Sequence, residues 1–340
     1  MKRIAFVASS SLLGLLLLSS GPNRAQAVEG IEPFLDKWSL TIPGGGAGWL
    51  SVTKQNGYYD AELMWGSGSV VPAESVFFTD NTLLVGRQRE VQRKDAAGKV
   101  VRTQRFTDMI MARVEGDELR LTLLSPNSNG EGVERTEFSG KRQPPLPPAP
   151  ELAKVKFGEP VSLFNGKDLS GWKTFGDGPS GWRAENGVLI NHAPQEPGQH
   201  KSYANIRTER EFEDFKLTCE FRLPPNGNSG IYLRGMYEVQ VSDAFGKPAS
   251  AHAMGAIYSR ITPTENAAKP AGEWQKYEIT LVNRHVNVVL NGKTSVANQP
   301  LAGCTGGALW SDVQRPGPIY LQGDHTSVEY RNFVLFPVVK

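Results

Sequence analysis

Polar side chains alternate with apolar ones along a short segment in the second half of the sequence. In residues 215–223 the odd positions are apolar, while Glu220 and Arg222 stand at even positions. Successive side chains of a strand point to opposite faces, so this pattern predicts a strand with one polar face. Residues 230–234 and 237–241 repeat the pattern. If the three strands are neighbours, one surface holds six polar groups: Glu220, Arg222, Tyr232, Arg234, Glu238 and Gln240.

This surface has two interpretations. One is a solvated outer face with ion pairs, which surface strands commonly carry. The other is a binding or catalytic surface. The composition favours the second interpretation, because outer faces usually carry Lys, Thr and Ser, whereas here two Arg and two Glu occur with a Tyr and a Gln.

A second group of polar side chains follows an apolar segment near the C-terminus. Residues 317–321 predict a strand, and Gln322, Asp324 and His325 come directly after it. A histidine is a candidate general base because its ordinary pKa lies near neutral pH. A single loop histidine is typical of a protein surface, and its expected closeness to the polar sheet face makes His325 a catalytic candidate.

Metal binding is only weakly indicated by the sequence. The chain has five histidines, and their spacing is not that of a tight transition-metal site. Asp324 and His325, together with Glu238, are the residues that a divalent metal would use, so a metal stays an open alternative. The sequence requires no cofactor.

The composition predicts a folded all-β protein. The 340 residues include 36 glycines and 23 prolines, 39% are hydrophobic, and no long stretch has a helical period. The formal charge is +2, and it becomes −1 without residues 1–27, which hold three basic residues and no acid. Lys and Arg do not cluster with aromatic residues, so nucleic acid is not an expected partner.

Residues 1–27 have the pattern of a secretory signal peptide. Lys2 and Arg3 precede an apolar run, and Ala25 and Ala27 are the small residues that a signal peptidase reads. Cleavage near Ala27 predicts a secreted or periplasmic protein without membrane contact afterwards. The alternative is an uncleaved anchor, which the short apolar run disfavours.

A proline-rich linker over residues 143–150 divides the remaining chain. Residues 28–142 contain several predicted short strands with close turns, which favours a small antiparallel β-barrel or half-barrel. They hold no His or Cys, and we interpret them as an accessory or carbohydrate-contacting domain. Residues 151–340 are also rich in predicted strands, which favours a jelly-roll sandwich of two sheets. We expect the two parts to fold separately.

The chain has two cysteines, Cys219 and Cys304. Cys219 lies on the apolar face of its predicted strand, which suits a small buried hydrophobic residue. A disulfide between the two stays open, because the sequence cannot place their Cα atoms.

Residues from about 157 to 338 resemble the family of secreted 3-keto-disaccharide hydrolase domains, which share a concanavalin-like jelly roll. The resemblance rests on motifs that follow one another in the family's order. These motifs are SLFNGKDLSGW (162–172), NSGIYLRG (228–235), YEVQV (237–241), GAIY (255–258), GPIYLQ (317–322) and YRN (330–332). The resemblance implies an all-β chain in which a concanavalin-like sandwich follows the small barrel-like domain.

The resemblance also implies cleavage of 3-keto-glycosides or 3-keto-disaccharides. A ketone at C3 acidifies the hydrogen at C2, so a base forms an enolate that expels the C1 substituent, and water then adds. Glu238 or His325 would serve as the base, and Arg234 would hold the enolate oxygen. An upstream sugar 3-dehydrogenase would supply this carbohydrate substrate. The expected substrate contacts are Glu220, Arg222, Asn228, Tyr232, Gln240, Tyr258, Gln322 and Asp324.

Two other functions stay open. Jelly rolls also serve non-catalytic carbohydrate-binding proteins, because a fold does not fix function. An ordinary glycoside hydrolase needs two carboxyl groups at a set separation. Residues 238–243 resemble the E-x-D-x-x-E strand of jelly-roll glucanases, but Gln240 stands at the position of the second acid. The charged face favours an enzyme over a binding protein, because binding platforms for sugars are mainly aromatic.

Overall fold

The computed structural model describes residues 30–339 apart from residues 67 and 197. The predicted signal peptide, residues 1–27, lies outside the described residues. Almost all regular structure is β-strand, which confirms the predicted fold class. Within the described part, no helix is long and apolar enough to span a membrane. Two short 3-10 helices occur, at Glu32–Phe34 and Leu152–Lys154.

Nine strands in the described part of the first half form one antiparallel sheet. They are β1 (Asp36–Thr41), β2 (Ala47–Lys54), β3 (Tyr59–Trp65), β4 (Val71–Pro72), β5 (Ser75–Thr79), β6 (Thr82–Lys94), β7 (Val100–Glu115), β8 (Glu118–Pro126) and β9 (Val133–Arg142). Their spatial order is β4-β3-β2-β1-β9-β8-β7-β6-β5. The sheet curls around a core that includes Phe34, Trp38 and Leu83, and so forms the predicted half-barrel.

Strand β2 is buried on both faces. Leu50 and Val52 point into the core of the half-barrel, while Ala47 and Trp49 belong to the core of the second half. Odd and even residues of a strand face opposite sides, so one strand serves both cores. The half-barrel therefore packs directly on the second half of the chain.

Thirteen strands of the second half, counted over its described residues, form two sheets. They are β10 (Val161–Ser162), β11 (Trp172–Phe175), β12 (Trp182–Glu185), β13 (Val188–Asn191), β14 (Asn205–Thr208), β15 (Phe215–Arg222), β16 (Asn228–Leu233), β17 (Tyr237–Ser242), β18 (Gln275–Val282), β19 (His285–Leu290), β20 (Lys293–Pro300), β21 (Tyr320–Leu321) and β22 (Val328–Pro337). One sheet has the order β12-β13-β22-β15-β18-β19-β20, and β10 pairs with β22 beside it. The five-stranded sheet has the order β11-β14-β21-β16-β17.

The core of the second half lies between these two sheets. In β15 buried residues alternate with half-buried ones, as the sequence predicts, and Leu217, Cys219 and Phe221 point inward. Ile231 and Val239 of the five-stranded sheet belong to the same cluster. The second half is therefore the expected jelly-roll sandwich.

Trp49 lies at the centre of the contact between the half-barrel and the sandwich. It is 1% exposed, and the guanidinium carbon of Arg260 lies 3.8 Å from the centroid of its ring. A Cβ at Gly303 would lie 2.8 Å from the indole, so glycine allows this close approach. Nearby, the hydroxyl of Ser39 donates to the carbonyl of Ser311 over 2.6 Å.

Residues 143–150 form no strand or helix, as expected of a linker. Side chains of the sandwich donate hydrogen bonds to the backbone carbonyl groups of this linker. Arg284 donates to the carbonyls of Pro144 and Pro145 over 2.8 Å and 2.6 Å, and Asn298 donates to that of Pro150 over 3.0 Å. The linker thus lies against the sandwich, and separate folding of the two parts stays a prediction.

The two cysteines are free and buried. Burial raises the pKa of the Cys304 thiol to about 12 and that of Cys219 further still. Both therefore remain neutral, unreactive thiols in the folded chain.

Replacing Trp49 tests the contact between the two halves. Trp49→Ala removes a large buried ring and its contact with Arg260, so the free energy of unfolding should fall by about 3–5 kcal/mol. Tyr58→Ala is the control, because Tyr58 is exposed in the turn between β2 and β3, and its loss should change the free energy of unfolding by less than about 0.5 kcal/mol. Denaturant unfolding measures both, and equal effects would contradict the anchoring role of Trp49.

Candidate active site

A cavity of about 290 Å³ opens on the five-stranded sheet. It lies on the face of β16 and β17 that is turned away from the sandwich core. Eight of the eleven site residues expected from the sequence line it: Asn228, Tyr232, Glu238, Gln240, Tyr258, Gln322, Asp324 and His325.

The pairing of β16 with β17 brings the polar side chains together. Tyr232 stands opposite Glu238, and Gly230 stands opposite Gln240. Ile231 alternates with these residues and points into the sandwich core. The period of two predicted from the sequence therefore places Tyr232, Glu238 and Gln240 on one face.

Gly230 makes room for the side chain of Glu238. A Cβ at this position would lie 2.3 Å from Glu238 Oε1. The space that the missing side chain leaves lets the carboxyl group lie flat over β16, where it is only 3% exposed. Any larger residue at position 230 would push the carboxyl group out of this place.

The carboxyl group of Glu238 contacts a tyrosine and an amide. The hydroxyl of Tyr232 lies 2.9 Å from Oε2 and 2.7 Å from the carbonyl oxygen of Gly306. With its amide oriented by its hydrogen-bond partners, Gln240 donates to Oε1 over 2.9 Å. The tyrosine has one hydrogen, and the carbonyl can only accept it. A protonated Glu238 satisfies both contacts of the tyrosine hydroxyl, since it donates to Tyr232 while Tyr232 donates to Gly306.

The pKa of Glu238 reflects this environment. The pKa is raised to about 8, mainly by burial and also by the negative charge of Asp324, while the hydrogen bond that Tyr232 can donate to the ionised carboxylate opposes the shift. At neutral pH the group therefore holds a proton. A buried carboxyl group with such a pKa is suited to give a proton to a departing oxygen.

Asp324 and His325 form a hydrogen-bonded pair on the other side of the cavity. The Nδ1 of His325 lies 2.7 Å from the Asp324 carboxylate, and both side chains are half-buried. When Nδ1–H donates to the carboxylate, Nε2 keeps its lone pair and can accept a proton. The ring of His200 packs edge-on against His325, with 5.6 Å between centroids.

Two stacked tyrosines form part of the cavity. The rings of Tyr232 and Tyr320 lie 4.1 Å apart at an angle of 11°, and Phe175 meets Tyr320 edge-on at 5.0 Å. Burial raises the pKa of both tyrosines above the ordinary value. Both phenols therefore stay neutral and keep a proton to donate.

Six lining residues were not among the expected site residues. Tyr320 could have been found, because it stands two positions before Gln322 and shares its side of the chain. The strand of Asn205 alternates over only four residues, which is too short for a clear prediction, and the glycines have no side chain to give a signal. The six are Gly68, Phe175, Asn205, Gly306, Gly307 and Tyr320.

Arg234 does not line the cavity, in contrast to the expectation that it holds an enolate oxygen. β16 ends at Leu233, and Arg234 adopts a left-handed conformation with φ of 55°. This turn breaks the alternation that would have placed it beside Tyr232. Its buried guanidinium instead donates to the carbonyls of Val313 and Arg315.

Glu220 and Arg222 also lie away from the cavity, which corrects the expectation of one shared surface. β15 belongs to the eight-stranded sheet, because the chain crosses to the other layer between β15 and β16. Glu220 pairs with Arg331 and Arg222 with Glu329, each over 2.6 Å. For these two residues the outer face with ion pairs is the correct interpretation.

The described residues contain no group of three or more His, Cys, Asp or Glu side chains that could hold a metal ion. Glu238, Asp324 and His325 share the cavity without forming such a cluster. A divalent metal therefore stays the open alternative that the sequence analysis left.

The sandwich and its cavity define a jelly-roll protein with a polar cavity on its five-stranded sheet. Residues 159–335, about half of the chain, match the family of 3-keto-alpha-glucoside-1,2-lyase-like domains, and the chain belongs to this family. A curated 3-keto-disaccharide hydrolase of Bacteroides thetaiotaomicron is 26% identical over 148 residues, which cover 35% of this chain and 51% of the relative. The chain thus spans about half the length of the curated relative that it matches.

Crystal structures from Parabacteroides distasonis also resemble the second half. One presumed glycosyl hydrolase is 29% identical, with a TM-score of 0.42, over 57% of this chain and 93% of that chain. A second from the same organism is 21% identical, also with a TM-score of 0.42, over 53% and 94%.

The raised pKa of Glu238 predicts a pH-dependent penalty on stability. The folded chain keeps this proton up to about pH 8, whereas the unfolded chain loses it near the ordinary value of 4.5. The free energy of unfolding of the wild type, relative to Glu238→Gln, should therefore fall between these pH values by on the order of 1 kcal/mol per pH unit. Chemical denaturation at a series of pH values measures this difference.

Glu278→Gln is a control of opposite sign. The hydrogen bond from Lys276 lowers the pKa of Glu278, so its contribution is present above the ordinary value and is lost as the pH falls below it. A difference between wild type and Glu238→Gln that does not change with pH would contradict the buried proton.

Proposed function

We propose that this protein cleaves glycosides whose sugar ring carries a ketone at C3. One observation carries the proposal: the buried carboxyl group of Glu238 and the Asp324–His325 pair line the same cavity. An acid that holds its proton and a base with a free nitrogen are the two groups that elimination at a ketosugar needs. The family match and the name of the Bacteroides relative support this substrate class.

The first step is removal of the proton at C2 of the sugar. In this proposal Nε2 of His325 accepts the proton, and Asp324 stabilises the imidazolium that forms. The electron pair of the C2–H bond moves into the bond between C2 and C3, and the ketone oxygen becomes the enolate oxygen.

The second step breaks the bond between C1 and the departing oxygen. The ketone re-forms, a double bond appears between C1 and C2, and Glu238 gives its proton to the departing oxygen. Tyr232 and Gln240 then donate to the new carboxylate. Water adds its hydroxyl to C1 and a proton to Glu238, while His325 returns a proton to C2. The net reaction is hydrolysis.

In this proposal neutral hydrogen-bond donors stabilise the enolate oxygen, because the guanidinium of Arg234 does not line the cavity. Asn205 lines the cavity, and its Oδ1 accepts the backbone N–H of Gly323 over 2.7 Å. This contact orients the amide and leaves Nδ2 to donate to the sugar. Tyr320 is a second neutral donor. Loss of one donor of this kind typically reduces turnover by ~10²–10³-fold.

A 3-keto-glucoside and its unoxidised parent, incubated with the enzyme in deuterated water, test the reaction. The aglycone should be released from the 3-keto compound alone, and deuterium should appear at C2 of the sugar, because the removed proton exchanges with solvent. Mass spectrometry measures both. Release without deuterium at C2 would point to direct displacement at C1, and release from neither compound would favour a binding protein.

Two variants should separate the base from the acid. His325→Gln should lose both C2 exchange and cleavage by ~10²–10⁴-fold, because no base remains. Glu238→Gln should lose cleavage by a similar factor yet still exchange the C2 proton, because only the departing oxygen lacks its acid. Glu220→Gln, on the opposite sheet, is the matched control and should keep both activities. Loss of exchange in Glu238→Gln would instead make Glu238 the base.

A further inference from the structure

The cavity has one wall that comes from both halves of the chain. Gly68, which lies between β3 and β4 of the half-barrel, lines the cavity together with Gly306 and Gly307 of the sandwich. We call these three residues the glycine wall. The half-barrel therefore contributes to the site directly.

Hydrogen bonds hold the half-barrel in place beside the cavity. Ser69 Oγ lies 2.9 Å from Nε2 of His252, and the backbone N–H of Val70 donates to Ser259 Oγ over 2.8 Å. The N–H of Gly307 donates to the carbonyl of Gly66 over 3.3 Å. These contacts come from both sides of Gly68, so its position relative to the sandwich is fixed.

Close backbone approach explains the glycines on the sandwich side. A Cβ at Gly306 would lie 2.1 Å from the carbonyl oxygen of Gly68, and a Cβ at Gly307 would lie 2.7 Å from the hydroxyl of Tyr232. Neither position accepts a side chain while the half-barrel and the tyrosine stay in place. The wall is therefore bare backbone.

The glycine wall lies at the end of the cavity where the departing group leaves. The carbonyl of Gly306 accepts the hydrogen of Tyr232, and Tyr232 contacts Glu238. In the proposed function Glu238 protonates the departing oxygen, so the group attached at C1 must lie next to this wall.

We propose that the half-barrel selects the group attached at C1, by its size, through Gly68. This inference rests on the proposed function for the identity of that group. A bare wall admits a bulky second sugar, whereas a side chain at position 68 would occupy part of the same space.

Cysteine substitution tests the wall at two matched positions. Gly68 and Gly98 both have a positive φ of 80°, and a Cβ at either one meets no atom within 4 Å. Gly98 lies between β6 and β7 of the same half-barrel and does not line the cavity. The native Cys219 and Cys304 are buried, so a maleimide will label only the introduced thiol.

The measured quantity is kcat/KM before and after maleimide labelling of Gly68→Cys and Gly98→Cys. Labelling of Gly68→Cys should reduce the kcat/KM for a 3-keto-disaccharide by more than about tenfold, and should reduce that for a 3-keto methyl glucoside much less. Labelling of Gly98→Cys should change kcat/KM by less than about twofold for both substrates. Equal effects at the two positions would overturn the proposal.

A second readout does not depend on turnover. An excess of the 3-keto-disaccharide should slow maleimide labelling of Gly68→Cys and leave the labelling rate of Gly98→Cys unchanged. If the wild type cleaves no 3-keto compound, the proposed function fails, while slower labelling still places the sugar at Gly68. Equal labelling rates with and without the sugar would contradict the claim that the bound sugar lies next to Gly68. Should Gly68→Cys not fold, Gly68→Asn and Gly98→Asn replace the pair in the kcat/KM comparison, because Asn tolerates positive φ.

Discussion

The burial of one carboxyl group determines how the rest of the site is built. A carboxylate removed from water needs several donors or a cation. Beside Glu238 the described residues provide only one tyrosine hydroxyl, whose hydrogen is shared with a carbonyl, and one amide. Glu238 therefore keeps its proton. Gly230 provides its space, Gly306 fixes the direction of the tyrosine hydrogen, and Asp324 adds a second negative charge nearby. Every one of these features acts on the same proton.

The alternation of polar and apolar side chains along the strands predicted much of the site. The prediction was wrong for residues past the end of their strand and for residues in the other sheet. Tyr232, Glu238 and Gln240 share one face because β16 and β17 are regular and adjacent. Arg234 lies one residue past the end of β16, where a positive φ turns it away. Glu220 follows the same alternation in β15, but that strand belongs to the other layer. The order of strands in a sheet depends on pairing between residues far apart in the sequence. The alternation of side chains along one strand does not indicate which strands will pair.

The relation between the two halves was harder to foresee for a similar reason. A proline-rich stretch of residues, 143–150, is typical of a spacer between independent units, and the structure places those prolines against the sandwich. The signal for packing lies in β2, whose apolar residues occupy both faces. Trp49 in that strand packs against Arg260, which lies far away in the sequence. Only the folded chain brings the two together.

A boundary made of peptide backbone resists gradual change. Side chains that line a pocket can be lengthened or shortened by single substitutions, so the ligand specificity of such a pocket can change in small steps. Gly306 and Gly307 offer no such intermediate steps, since any added atom meets the opposite surface. Within such a lineage, a new ligand preference would arise on the half-barrel side, by a substitution at Gly68, by a change in the length of the connection between β3 and β4, or by exchange of the whole amino-terminal sheet. Variation among related chains should accordingly spare Gly306 and Gly307.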